Sequence, residues 1–269
     1  MHVERIPVAV PTRAPTGRTA CYVLGRKEAL LVDPPAPDER IEAELDRVGS
    51  VAVTHHHPDH VGAVAKYAEA ADATVWCRRG RAEAFASATD AAPDRTFVEG
   101  TEIPTGEGPV VVRDTPGHAP EHVAFEAPGA LVCGDLAVAE GSVVVGDPEG
   151  DMRAYLTSLR RVLALAPDRL LPAHGPEIDD VRATCGRLIA HRLDRERRVL
   201  EAVEAGNRTV ADLLEAAYDK DLTGVEDLAS ATVRAHLEKL RHEGHVRWDG
   251  ARADPAGHVQ LRESSALRR

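Results

Sequence analysis

The chain has 269 residues, of which 43% are hydrophobic and 29% charged, and its formal net charge is −11. That length holds one large domain or two modest ones, each able to bury a core, and the composition excludes disordered and fibrous classes. No apolar stretch reaches the length of a membrane span, and Met1-His2-Val3-Glu4-Arg5-Ile6-Pro7 lacks the basic-then-apolar order of a signal peptide, so a cytoplasmic protein with no membrane partner is expected.

The chain opens with β-prone runs at 19–24 and 29–32, separated by Gly25-Arg26-Lys27-Glu28, a hairpin pattern. Pro37-Asp38-Glu39 starts a helical pattern in which Ile41, Leu45 and Val48 recur at four and three. After Gly49 the strand 51–53 leads into Thr54-His55-His56-His57-Pro58-Asp59-His60. A helix over 61–71, a strand over 74–76 and an Ala-rich helix near 80–88 follow. Val110-Val111-Val112 runs on to Thr115-Pro116-Gly117-His118. Strands at 123–125 and 130–133 read as a hairpin ending at Gly134-Asp135. A helix over about 152–166 precedes a short strand, 169–171, which stops at Pro172-Ala173-His174-Gly175. Cys21, Cys77, Cys133 and Cys185 form no Cys-x-x-Cys pair and read as buried free thiols of a reducing compartment.

Near residue 180 the texture changes. Residues 1–179 carry 17 Lys+Arg against 28 Asp+Glu, whereas residues 180–269 carry 16 of each, so a domain boundary is expected there, giving domains 1–190 and 191–269. The second part reads as helical to about 205. Thr209 and Asp212 have capping-box spacing, a helix runs over about 228–243, and Asp249-Gly250 is a strong hairpin-turn dipeptide. Three helices and a hairpin in this order form the layout of a winged helix.

Four imidazoles and a carboxylate within six residues are unusual, because several ring nitrogens would go unpaired unless a cation sat among them. Four apolar strands each end in a Pro or Gly turn and a candidate ligand, so His55, His57, Asp59, His60, His118, Asp135 and His174 can gather at one rim. Seven ligands are too many for one tetrahedral ion but suit two divalent ions, zinc first, sharing a carboxylate. Such a pair holds a hydroxide between its members near neutral pH, so hydrolysis needs no protein nucleophile, and no Gly-x-Ser-x-Gly or Walker A sequence competes.

His55-x-His57-x-Asp59-His60, the Thr-Pro-Gly-His ending at His118, Gly-Asp135 and Pro-Ala-His174-Gly together resemble the metallo-β-lactamase superfamily signature, in its order, over residues 19 to 180. The resemblance implies an α+β fold, the four-layer αβ/βα sandwich, followed here by a small C-terminal winged-helix domain. It implies that His55, His57 and His118 hold one zinc, that Asp59, His60 and His174 hold the other, and that Asp135 bridges them; manganese or iron are the alternatives to zinc. Asp33 would orient a ligand, and His56 lies off the pattern. Catalytic roles fall to Asp59, Asp135 and His122, the last as a substrate contact or proton donor, with a structural hydrogen bond as the equal alternative.

Ala190-His191-Arg192-x-x-Arg195-Glu196 and the winged-helix pattern resemble the branch of lactamase-like proteins that includes a mitochondrial endoribonuclease acting on single-stranded RNA. Ala20 and Pro34-Pro35 depart from the family pattern and bear on substrate fit rather than on metal binding. Only 16 residues separate His118 from Asp135, too few for the inserted domain of β-CASP nucleases. His57 argues against a diiron oxygen reductase, and Asp135 against a β-lactam hydrolase that uses Cys. The leading expectation is a phosphodiesterase of the endoribonuclease type acting on single-stranded RNA. A thioesterase of the hydroxyacylglutathione hydrolase type, acting on a small thioester, is the second. The third is a nucleic-acid-binding or homodimerising module with secondary hydrolysis. A basic face made by Arg234, Lys239, Arg241 and Arg247 is set against a plain solvated face.

Overall fold

The structure, a computed structural model, describes residues 1–146, 148–219 and 221–256. The end of the expected C-terminal domain, 257–269, lies outside the described residues. The chain divides into two compact units, Met1–Arg192 and Leu193–Arg269. Among the described residues no helix is long and apolar enough to cross a membrane, and all four cysteines are buried and free.

The first unit is built on two sheets. One has six strands in sequence order: β1 (Val3–Ala9), β2 (Arg18–Leu24), β3 (Ala29–Val32), β4 (Val48–Ala52), β5 (Thr74–Arg78) and β6 (Arg95–Phe97). The first three pair antiparallel, and β3 to β6 run parallel. The second sheet comprises β7 (Glu102–Ile103), β8 (Val110–Asp114), β9 (Val123–Ala127), β10 (Ala130–Gly134) and β11 (Arg169–Pro172), in the order β11-β10-β9-β8-β7, with only β10 and β11 parallel. Period-two alternation sorts the side chains. Ala20, Tyr22 and Leu24 of β2 join Val110, Val112, Phe125 and Val132 of the other sheet in one core between the sheets. Cys21 and Val23, on the opposite face of β2, join a second core with Ile41, Val64, Tyr67 and Phe85 of the covering helices.

Those helices are α1 (Glu39–Glu42), α2 (Pro58–Val61), α3 (Val64–Ala70) and α4 (Ala82–Thr89); α5 (Met152–Leu165) belongs to the second half. Asp38 caps α1 and Asp151 caps α5 by accepting backbone N–H groups, and Pro58 opens α2, where its missing N–H costs nothing. Two sequence expectations need correction. The periodic stretch after Pro37 yields a single helical turn and a 3-10 turn, Leu45–Arg47, because the chain must reach β4 at Val48. The single helix expected over 61–71 is two helices, broken where the Ala63 N–H leaves the helical ladder to donate to the Pro34 carbonyl. Strand β1 carried no alternation strong enough to announce it.

The second unit contains the end of α6 (Val181–Glu204), then α7 (Val210–Ala217), α8 (Glu226–His242) and an antiparallel hairpin of β12 (Val246–Trp248) and β13 (Ala253–Pro255). Thr209 and Asp212 form the reciprocal capping box of α7. Val199, Val203, Leu213, Val233, Leu237 and Trp248 share its core. Beside that core the Lys239 ammonium donates to Glu196 at 2.6 Å and to Glu243 at 2.7 Å. Burial works to raise the Glu196 carboxyl, but its bonds to His236 and Lys239 outweigh this and hold it below its ordinary pKa.

A depressed carboxyl contributes stability above its unfolded pKa and loses it as pH falls through the folded one. Glu196→Gln is therefore expected to cost about 2 kcal/mol at pH 7, and the deficit should close in the acid range. Urea denaturation followed by Trp248 fluorescence in a Trp76→Phe background measures both.

Candidate metal centre

Strands β4, β8, β10 and β11 each deliver part of the site within a few residues of their C-terminal ends: His55 to His60, His118, Asp135 and His174. Two glycines let these loops close. Gly117 has φ +136°, and a Cβ there would lie 2.3 Å from the Tyr155 nitrogen. Gly134 has φ +49°, with a would-be Cβ 2.6 Å from Thr54 Oγ1 and 2.8 Å from His122 Nε2. Only glycine lets the Asp135 loop approach Thr54 this closely.

The structure brings all seven predicted ligands together. Donor atoms of His55, His57 and His118 lie within 4.8 Å of one another, as do those of His55, His60 and Asp135 and those of Asp59, His60 and His174. Partners on the outer side of each ring decide where its proton sits. His118 Nδ1 faces the Val144 carbonyl at 2.6 Å and His174 Nδ1 the Arg18 carbonyl at 2.8 Å. A carbonyl only accepts, so both Nδ1 atoms carry hydrogen and both Nε2 atoms are left to face the centre. His60 Nδ1 donates to Asp33 at 3.0 Å, and His57 Nε2 donates to Glu149 at 3.0 Å. The Thr54 hydroxyl is spent on Asp33 at 2.7 Å and therefore accepts from His55 Nδ1 at 3.0 Å.

Five ring nitrogens thus point inward. His57 Nδ1 sits 2.9 Å from both His55 Nε2 and His118 Nε2, with no proton left to lie between them. His60 Nε2 and Asp135 Oδ1 are buried with no hydrogen-bond partner. Asp135 divides its oxygens: Oδ2 is 3.5 Å from His118 Nε2, while Oδ1 is 3.3 Å from His174 Nε2 and 3.7 Å from His60 Nε2. Asp59 completes the second group, with Oδ2 3.6 Å from His174 Nε2. Converging lone pairs and orphaned buried atoms of this kind are what a pair of divalent cations satisfies, so the donor set fits the metals.

The electrostatics agree. Burial, then the neighbouring imidazoles, keep His55 well below the usual histidine pKa, and burial lowers His118. Burial also opposes charge on His60, but Asp33 outweighs it and lifts the group to about 9. His174 is raised in spite of burial by its contact with Asp135, whose carboxyl is pushed far down, against its own burial, by His174 and the other imidazoles.

His122 sits among hydrogen-bond partners of its own. Its ring is fully buried, Nε2 accepts the Asp135 N–H at 3.1 Å, and Nδ1 meets Thr115 Oγ1 at 2.8 Å. Burial and the neighbouring His118 push its pKa down to about 3. With both nitrogens engaged and the ring buried, its geometry matches the structural alternative, a hydrogen bond that holds the Asp135 loop. His56 points elsewhere, its ring edge-on to Phe85 and its N–H on Glu121. Sequence reading missed Thr54, Thr115 and Glu149. The first two sit beside ligands in the chain, but nothing in the sequence links Glu149 to His57, 92 positions away.

Residues 14–174 match the model of the metallo-beta-lactamase superfamily, and the chain belongs to that superfamily. It is a metal-dependent hydrolase with a histidine- and aspartate-rich site of dinuclear type. Within the superfamily it is similar to the beta-lactamase-like protein 2 homolog of Drosophila melanogaster, 29% identical over 77% of this chain and 73% of the relative. It is also similar to the hydroxyacylglutathione hydrolase of Dechloromonas aromatica, 33% identical over 54% of this chain and 52% of that one. A metallo-beta-lactamase family protein from Thermus thermophilus shares the fold, with a TM-score of 0.74 at 24% identity over 94% of this chain and 98% of its own.

Removing the Asp33 acceptor frees the His60 ring, so Asp33→Asn should weaken zinc binding by about 10- to 100-fold, whereas His56→Ala should leave it unchanged. Competition with a chromogenic chelator measures both. A raised His60 pKa means that the metal-free centre holds a proton at pH 7 which an ion must displace. Apparent affinity is therefore expected to climb with pH up to about 9, with proton release visible by calorimetry in buffers of differing ionisation enthalpy.

Proposed function

We propose that this chain is a phosphodiesterase of the endoribonuclease type, cleaving single-stranded RNA with zinc at both sites. The observation that carries the hydrolytic part is the Asp135 carboxylate, split between two clusters of inward-facing nitrogens. His55, His57 and His118 would hold one ion, Asp59, His60 and His174 the other, and Asp135 both. Such a pair, when bound, supplies Lewis acidity and a water acidified toward neutrality. The chain's own residues then orient and exclude. Asp33 fixes His60 directly and His55 through Thr54, His122 holds the Asp135 loop, and Asp59, less buried than Asp135, is placed to take a proton from the attacking water.

RNA is favoured by the resemblance at residues 190–196 and by the helix–helix–helix–hairpin order of the second unit, which we read as a winged helix. Of the basic face expected from Arg234, Lys239, Arg241 and Arg247, three members are committed within the second unit, and Arg247, on β12, is exposed. Lys239 is committed to Glu196 and Glu243, Arg241 to Glu238, and Arg234 to the Gly250 carbonyl. Thioester hydrolysis is the second reading, favoured by the similarity to hydroxyacylglutathione hydrolase.

A parallel assay on a single-stranded oligoribonucleotide and on S-lactoylglutathione, with and without added zinc or manganese, separates the two. Metal-dependent cleavage of the oligoribonucleotide is expected. Turnover of the thioester alone would overturn the RNA assignment. Asp59→Ala should lower either activity by at least about 100-fold; full turnover in that variant with metal verified absent would refute the site.

A further inference from the structure

We propose that a pocket beside His174, walled by Arg5 and Arg18, binds a phosphate of the substrate strand other than the one being cleaved. This rests on the RNA reading above. The pocket measures about 260 Å³ and is lined by Arg5, Pro7, Thr16, Arg18, Ala173 and Gly175 among others, with no acidic side chain in its wall.

Strand register builds it. Arg5 lies opposite Tyr22 and Pro7 opposite Ala20, so Arg5, Pro7, Arg18, Ala20 and Tyr22 share the face of β1 and β2 that turns toward the second sheet. From that sheet come Ala173 and Gly175, the neighbours of His174. The two walls are tied at the metal ligand itself: the Ala20 N–H donates to the Ala173 carbonyl at 2.8 Å, and His174 Nδ1 donates to the Arg18 carbonyl at 2.8 Å. An anion in this pocket therefore sits one residue from the metal centre.

Within the pocket wall the positive charges are unopposed. Arg5 is anchored, donating through Nη2 to the Gly175 carbonyl at 2.6 Å and through Nε to the Tyr22 hydroxyl at 3.3 Å. That leaves three of its five N–H groups. Arg18 is exposed, and among the described residues its guanidinium has no hydrogen-bond or ion-pair partner. Several arginines elsewhere in this unit are neutralised, Arg78 by Asp114, Arg113 by Glu126 and Arg161 by Glu99, whereas Arg5 and Arg18 face no carboxylate in the pocket wall. Two guanidinium forks in an acid-free recess, on a strongly acidic half of the chain, focus positive potential where a phosphate can be gripped from two sides. The grip lies beside the centre and not on it, so it serves binding and register more than the chemical step.

The test uses the full zinc-loaded chain and a single-stranded hexaribonucleotide. Arg18→Glu should raise KM about tenfold with kcat changed by less than about threefold, and reduce the slope of log KM against log salt by about one. Arg18→Lys should recover most of the affinity. Arg160→Glu, the same charge reversal at an exposed position of α5, controls for net charge. Equal KM shifts in Arg18→Glu and Arg160→Glu, or a fall in kcat at unchanged KM, would overturn the proposal. Failure of the RNA reading is seen separately, as a wild-type chain that does not cleave the hexamer. Binding then decides: fluorescence anisotropy of the labelled hexamer on Asp59→Ala and on Asp59→Ala/Arg18→Glu should differ about tenfold, and equal affinities sink the pocket.

Discussion

Asp33 is almost fully buried at the end of β3, in the left-handed region at φ 51°, and both of its oxygens are occupied. One accepts the Thr54 N–H at 2.6 Å; the other accepts the Thr54 hydroxyl at 2.7 Å and His60 Nδ1 at 3.0 Å. Since Thr54 in turn accepts from His55, a single carboxylate sets the tautomer of one histidine in each ligand cluster. A buried charge is expensive unless its lone pairs are filled, and here the filling is done by the groups that need orienting. The parallel pairing of β3 with β4, with Val32 opposite Ala52, holds Asp33 and Thr54 within reach. The site's geometry therefore follows from sheet register more than from the ligands themselves.

The acidic first unit looks ill suited to a polyanion, yet the centre reverses that locally. Five neutral imidazoles and two carboxylates carry about −2, so two divalent ions would leave it net positive. Beyond the centre, field falls off within about 8–10 Å at ordinary ionic strength. The −11 of the whole chain would then matter less to the RNA strand proposed above than the two guanidiniums adjoining His174. The many paired arginines elsewhere contribute little field because their partners cancel them.

Much of the site was legible because its parts sit at strand ends, where an apolar run, a turn and a ligand are contiguous in sequence. All seven predicted ligands follow that rule. His122 follows it poorly. It lies on the β8–β9 connection, and only the close approach of the Asp135 loop through Gly134 shows that its nitrogens are occupied. Glu149 was invisible for a related reason: an exposed acid on a loop has no sequence mark until the fold sets it against His57. The long periodic patterns of α5 and α8 gave clear helices. The pattern after Pro37 was overridden by the short path to β4, a tertiary demand that propensity does not register.

The stretch 192–196 shows how a resemblance in sequence can mark positioning instead of chemistry. In the first unit Arg192 is buried, donates to the Val143 carbonyl and lies over the Tyr155 ring. Val144, the next residue, supplies the carbonyl that orients His118. Arg192 thereby fixes a backbone segment whose neighbouring carbonyl decides which His118 nitrogen faces the centre. In the second unit Arg195 donates to the Ala217 carbonyl and stacks 3.5 Å above the Tyr218 ring, while Glu196 holds Lys239. None of the three touches the donor atoms, and each ends on a backbone carbonyl or a partner charge, where guanidinium geometry and burial are needed together. A ligand set requires such support, because a bare nitrogen binds a cation only if its ring cannot turn away.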